Sequence, residues 1–174
     1  MPCRFEIMDT DEADRTKALA DMEQLTKHEA MEFLETQPVA HLGTVLDDAP
    51  YVTPMSFVVD DGRILLRTMG GRKIDAIRSN PKVCIEVSDY DDNTGAWTSV
   101  IINGKAHTVD DAVARQKVVA LLYAKYGKVM GSPLSGSGGL MPLGTVFVIE
   151  VPIVDITGMC SGRGMRVRTK PGRM

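Results

Sequence analysis

The chain has 174 residues, room for one domain with a trailing extension, and a domain of that size buries about 70% of its unfolded surface without needing disulfide or metal staples. A net charge of −3 and a pI near 5.6 lack the basic face expected of a nucleic-acid-binding protein. Three widely spaced cysteines (Cys3, Cys84, Cys160) without a C-x-x-C pair, no apolar leader in residues 1–14 and no apolar run of about 20 residues together predict a soluble cytoplasmic protein rather than a disulfide scaffold or a membrane span.

The first 37 residues are polar and read as helical. Asp9 with Glu12 resembles a helix start, and Thr26 with Glu29 is a better capping box. Ala30, Phe33 and Leu34 then recur at helical spacing, and Pro38 stops the helix. From residue 39 the pattern becomes that of strands. Residues 39–45 form a short apolar run, Asp47-Asp48-Ala49-Pro50 is turn chemistry, and 51–59 is a second strand. Asp60-Asp61-Gly62 predicts a hairpin turn into a third strand at 64–67, which makes an antiparallel meander.

Gly70-Gly71 precedes a helix over 72–79, with Ile74 and Ile77 on one face, and Asn80-Pro81 ends it. Residues 82–88 alternate as a half-buried strand with Val83, Ile85 and Val87 inward and Cys84 on the second face. An acidic loop at 89–95 leads to a long strand over 97–109, bulged or bent at Asn103-Gly104. Asp110 caps a helix to about Tyr126, with Ala114, Val118, Leu121 and Leu122 at core spacing. Residues 131–144 are a Gly/Ser/Pro-rich loop, and 145–156 a last strand.

These elements predict a mainly β (α+β) fold: a six-stranded antiparallel barrel, split, with flanking helices over its open edges. The expected organisation is an N-terminal helical segment at 1–37 packing on the barrel, a barrel domain at 38–158 and a basic tail at 159–174. The tail carries Arg163, Arg166, Arg168, Lys170 and Arg173, a pattern common in solvated chain ends.

The chemistry concentrates in Thr68-Met69-Gly70-Gly71-Arg72-Lys73, between a strand and a helix. Glycines allow close backbone approach to a bulky anion. The helix start supplies free N–H groups and the positive end of its dipole. Arg72 offers a planar fork, Lys73 a mobile charge, Thr68 a hydroxyl and Arg67 a further cation. Local chemistry leaves two readings open, a phosphate site and a solvated helix start with surface cations.

Other residues carry less. His41 reads as a strand residue with a satisfied hydrogen bond, His28 as exposed, and His107 has no partner apparent in the sequence. Scattered histidines and cysteines give no metal-ligand spacing. Cys84 reads as a small buried filler. Gly136, Gly138 and Gly139 do not make a dinucleotide fingerprint.

The ordered blocks from residue 25 to 126 resemble the pyridoxamine 5'-phosphate oxidase-like, FMN-binding split-barrel superfamily, in particular its nitroimidazole-resistance-like, flavin-reductase-like branch. They are Leu25-Thr26-Lys27-His28-Glu29-Ala30-Met31, Val39-Ala40-His41-Leu42-Gly43-Thr44-Val45 and Pro50-Tyr51-Val52-Thr53-Pro54-Met55-Ser56-Phe57. Ile64 through Ile77, Asn80-Pro81-Lys82-Val83-Cys84 and Trp97 through Ala106 follow in order.

The resemblance implies FMN in a groove at a homodimer interface. It implies that Thr53, Pro54, Met55 and Ser56 lie along the ring, and that Arg67, Thr68, Arg72 and Lys73 hold the phosphate. Ser99 would be a further ring contact, from either chain. It also implies an oxidoreductase that moves electrons from a reduced nicotinamide to a nitro compound, quinone or flavin. The alternative is a module that binds flavin, deazaflavin or haem without efficient turnover. The oxidases proper end in a Trp and an Arg that this chain lacks, its one tryptophan being Trp97, which argues against vitamin B6 oxidation.

Overall fold

The structure is a computed structural model that describes residues 22–130 and 146–161, with side chains for all of these except 128–130. The Asp9 helix start, the glycine-rich segment at 131–144 and the tail cations lie outside the described residues. Strand β1 (Met22–Gln24) leads to helix α1 (Lys27–Thr36), then β2 (Ala40–Leu46), β3 (Ala49–Met55), β4 (Phe57–Asp60) and β5 (Arg63–Thr68). Helix α2 (Arg72–Ser79) precedes β6 (Lys82–Asp91), β7 (Ala96–Lys105) and β8 (His107–Thr108). Helix α3 (Ala112–Met130) is followed by β9 (Phe147–Pro152) and β10 (Asp155–Ser161).

All pairings are antiparallel, in a six-stranded sheet ordered β1-β10-β7-β6-β2-β3 and a four-stranded sheet ordered β4-β5-β9-β8. The two sheets do not join into one hydrogen-bonded ring among the described residues, which is the split barrel expected from the strand pattern.

Six predicted strands become nine because three of the runs change sheet, and β1 makes the tenth. The run at 51–59 breaks at Ser56, leaving β3 in one sheet and β4 in the other. The run at 97–109 breaks at Ala106, and the last run breaks at Ile153-Val154. A strand that turns a corner between sheets keeps its apolar side chains inward on both limbs, so composition alone reads it as continuous. The added strand β1 lies where a helix was expected; its three residues pair with Met159–Ser161 of β10, a sheet edge that sequence cannot reveal.

The predicted bulge at Asn103-Gly104 is absent. Both residues keep regular register, opposite Cys84 and Val83. Gly104 serves close packing instead: a Cβ there would lie 3.0 Å from a Val151 methyl on β9. The acidic loop is shorter than expected, since β6 runs to Asp91 and the hairpin closes by Ala96. The cap of α3 is Asp111, whose carboxylate accepts from the Ala114 N–H at 2.7 Å, rather than Asp110.

Local signals otherwise convert directly. Thr26 accepts from the Glu29 N–H at 3.3 Å, and the Glu29 carboxylate accepts from the Thr26 N–H at 2.8 Å. That is a reciprocal capping box. Asp47 and Asp48, and Asp61 with Gly62, all have positive φ, the geometry that two-residue hairpin turns require.

The main core lies between the sheets. Leu42, Phe57, Ile64, Leu66, Ile85 and Ile102 are fully buried there, and α1 contributes Ala30 and Leu34. A second, smaller cluster joins Val118 and Leu122 of α3 to Val58, Leu65 and Val148 on the opposite face of the four-stranded sheet. Strand β5 is therefore buried on both faces, which explains its unbroken apolar run.

Helix α3 also carries Lys125, whose Nζ lies 4.2 Å from the centre of the Phe57 ring. Burial lowers its pKa from 10.5 to about 8, against the pull of Glu35. Below about pH 8 the lysine is charged in both folded and unfolded chains, so the burial penalty is complete. Between about 8 and 10.5 the unfolded chain holds a proton that the folded chain has released, so stability rises with pH across that window. Chemical denaturation over a pH series is expected to show this shallow rise, and Lys125→Met to remove it.

Candidate functional site

The site forms where the sheets part. Strand β3 ends at Met55, the chain turns at Ser56, and β4 begins at Phe57 in the other sheet. Beside this corner, β5 ends at Thr68 and α2 begins at Arg72. A cleft of about 200 Å³ lies between them, lined by Thr53, Pro54, Met55, Ser56, Arg67, Thr68, Lys73 and Leu122.

One end of the cleft is cationic and pre-arranged. The Lys73 Nζ donates to Thr68 Oγ1 at 3.0 Å and to the Gly70 carbonyl at 3.3 Å. Thr68 Oγ1 also accepts from the Gly70 N–H at 3.3 Å, so one buried hydroxyl organises the loop and the lysine together. No carboxylate among the described residues pairs with Arg67, Arg72 or Lys73. Gly71 precedes helix α2 and gives it no side-chain cap; the Ile74 N–H donates to the Gly71 carbonyl, and the Arg72 and Lys73 N–H groups stay available to an anion.

Gly70 adopts φ +98°, and a Cβ on it would sit 3.3 Å from the Phe147 ring. Gly70→Ala is expected to cost about 1–3 kcal/mol through left-handed backbone strain and to displace the Lys73 anchor. Thermal denaturation, with and without a phosphate ligand, checks both effects.

The other end of the cleft is apolar, with Met55 from β3 and Leu122 from α3, both buried. Thr53 lines the cleft too, and its hydroxyl is buried with no hydrogen-bond partner among the described residues. A buried unpaired hydroxyl is costly, so it marks a position where a bound molecule would supply the partner.

Seven of the nine residues singled out from the sequence meet in this cleft: Thr53, Pro54, Met55, Ser56, Arg67, Thr68 and Lys73. Arg72 does not line it. Its guanidinium stacks over the Tyr51 ring at 5.2 Å, outside the cleft, because successive residues on a helix point about 100° apart. Ser99 is elsewhere, on the outer face of the six-stranded sheet, where its hydroxyl donates to Glu86 at 3.4 Å. Glu86 in turn meets His41 Nδ1 at 2.8 Å, the satisfied strand histidine expected from the sequence. Cys84 is exposed on the same outer face instead of buried, since an alternating strand presents it opposite Val83 and Ile85. Partial desolvation and then the Glu86 charge raise its pKa, so it is not an activated thiol.

Sequence reasoning missed Leu122 as a lining residue. Its helical spacing with Val118 announced burial, but only the docking of α3 on the four-stranded sheet brings it to the cleft.

Among the described residues, no helix is long and apolar enough to cross a membrane, and no cluster of His, Cys, Asp or Glu could hold a metal ion.

Comparison with known proteins follows the same outline. An uncharacterised protein of Rhizobium meliloti is 31% identical over 81 residues, which are 47% of this chain and 53% of that protein, so the match spans about half the relative's length. A FAD-binding protein from Mesorhizobium loti shares the fold with a TM-score of 0.64 at 22% identity, covering 80% of this chain and 97% of that one. A candidate 5-nitroimidazole antibiotic resistance protein from Bacteroides thetaiotaomicron does so with a TM-score of 0.63 at 21% identity, over 80% and 88%. Residues 26–158 match the family model for pyridoxamine 5'-phosphate oxidase. That stretch contains both sheets' shared corner and every residue of the cleft, and on it the chain belongs to the pyridoxamine 5'-phosphate oxidase family.

Proposed function

We propose that the cleft holds a flavin, FMN in our reading, and that the protein is a flavin-dependent oxidoreductase. The observation that carries this reading is the convergence of a lysine with no carboxylate partner among the described residues, an uncapped helix start and an orphaned threonine hydroxyl on one cleft with an apolar wall. These residues fit the group. Lys73, Arg67 and the first turn of α2 suit a phosphate, Thr53 suits a polar ring edge, and Met55 and Leu122 suit an apolar ring face. The FAD-binding relative from Mesorhizobium loti supports flavin over other phosphorylated ligands.

When bound, FMN would supply hydride acceptance from a reduced nicotinamide and electron delivery to a nitro compound, a quinone or another flavin. The chain's part is to bind and orient. Thr68 holds the Lys73 ammonium toward the phosphate, Pro54 and Ser56 form the wall beside the ring, and Leu122 keeps water from its apolar side.

A homodimer completes this reading. The cleft is smaller than the ~300–1,000 Å³ usual for ligand pockets, so a second wall is wanted. Ser99, on β7, is three strands away from β3, roughly 14 Å at the usual strand spacing, too far to touch a ring held in its own chain's cleft. The outer face it occupies exposes Val52 (62%) and Ile101 (39%) and is the surface we assign to the partner copy. Light scattering is expected to give twice the 19.0 kDa chain mass, and a monomer would exclude a ring contact from Ser99.

A second reading, a module that binds flavin, deazaflavin or haem without efficient turnover, is favoured by one observation. Among the described residues, no lining residue is an aspartate, glutamate, histidine, cysteine or tyrosine, which leaves Lys73 as the one titratable side chain other than arginine on the cleft wall. The absorption and mass spectrum of the copurified small molecule identifies the ligand. Steady-state reduction by NADH or NADPH then separates enzyme from binding module, and a colourless protein that takes up no added flavin removes both.

A further inference from the structure

The corner that carries the cleft wall is structurally exposed. Strand β3 is the edge of the six-stranded sheet, and β4 is the edge of the four-stranded sheet. The chain passes from one edge to the other through Ser56, so on its outer side no strand among the described residues supports the backbone. Pro54 has no N–H to offer. Edge backbone of this kind is ordinarily free to shift or fray.

One side chain closes the gap. Tyr126, on α3, accepts from the Phe57 N–H at 3.1 Å. Its own proton faces two carbonyls, Phe57 O at 2.7 Å and Pro38 O at 2.8 Å. A single hydroxyl thus engages both backbone groups of the residue that follows the corner, and ties them to the segment between α1 and β2. It takes the place of the missing strand. One turn earlier the same helix supplies Leu122 to the cleft, and its neighbour Lys125 covers the Phe57 ring. Burial raises the Tyr126 pKa against the opposing Phe57 hydrogen bond, so the hydroxyl keeps its proton through the neutral range.

We propose that Tyr126 is a positioning residue for the cofactor: by latching Phe57 it fixes the Pro54-Met55-Ser56 wall against which the ring lies. The inference rests on the flavin reading of the cleft and adds to it a residue that does not touch the ligand. Displacements well below 1 Å at such a wall change affinity and ring environment, because close contacts decay steeply with distance.

The test compares two full-length variants with the unmodified chain. Tyr126→Phe removes the hydroxyl and keeps the ring. Ile102→Ala opens the main core on β7, three strands from the β3 edge that carries the corner. Three readouts are taken: amide exchange at Phe57, affinity for added FMN, and the visible absorption band of the bound flavin. Tyr126→Phe is expected to speed Phe57 exchange about tenfold, to weaken FMN roughly fivefold and to shift the band, as the loss of one or two net hydrogen bonds implies. Ile102→Ala is expected to lower the melting temperature at least as much and to leave band position and Phe57 exchange as they were. Equal effects of both variants on FMN would reduce Tyr126 to a stabilising contact and overturn the proposal. Unchanged exchange at Phe57 would overturn it too. An unmodified chain that takes up no FMN would remove the flavin reading and the positioning role together, an outcome distinct from either of these because it appears before any variant is made.

Discussion

Lys73→Ala is expected to weaken FMN binding by about 10- to 100-fold, the range that loss of a charge-assisted hydrogen bond implies. The ammonium is held at the cleft by Thr68 Oγ1 and the Gly70 carbonyl, so little of its freedom remains to be lost on binding. No carboxylate competes for it among the described residues. Arg72→Ala is the informative contrast. Stacked on Tyr51 and outside the cleft, it is expected to change affinity by about fivefold or less, as an exposed charge does. Titration of FMN into the cofactor-free protein, followed by flavin fluorescence at two salt concentrations, measures both. The lysine effect should persist at high salt and the arginine effect should fade. An Arg72→Ala variant that binds more weakly than Lys73→Ala would show that the phosphate lies outside the cleft, over Tyr51.

The second large effect is on stability. Ile102 is fully buried between the sheets, in register with Ile85 on β6 and Ile156 on β10. Ile102→Ala removes three carbons from a core held on both sides by strand ladders, which limits collapse around the void. The expected cost is about 2–5 kcal/mol. For a chain of this size that lowers the melting temperature by roughly 5–15 °C. Ile102 does not line the cleft, so flavin affinity of the folded variant should be unchanged. Differential scanning calorimetry with a parallel FMN titration checks the pair of outcomes. A variant as stable as the parent would mean that the sheets repack freely, against the picture of one continuous core.

Several features were legible in the residues because they are local. The Thr26–Glu29 capping box, the Asp-rich hairpin turns and the end of α2 at Asn80-Pro81 each depend on a few neighbouring residues, and each formed as expected. The alternation along 82–88 announced which side chains face inward, because a strand's period does not depend on its partners. At Gly70-Gly71-Arg72-Lys73, glycine freedom and helix-start electrostatics left two readings open, a phosphate site and a solvated helix start with surface cations.

What the residues by themselves determined is therefore the helices α1, α2 and α3, the antiparallel split barrel and a cationic helix start directly after the third predicted strand. The tertiary structure alone decided how many strands those runs make, since Ser56, Ala106 and Val154 are breaks only because the chain changes sheet there. It also decided that Lys73 turns into the cleft while Arg72 turns out to Tyr51, that Leu122 becomes a wall, and that Ser99 sits three strands away. The reason is range. Caps, turns and periodicity are settled within about four residues along the chain, whereas this cleft joins side chains as far apart in the chain as Thr53 and Leu122, whose meeting depends on sheet order and helix docking.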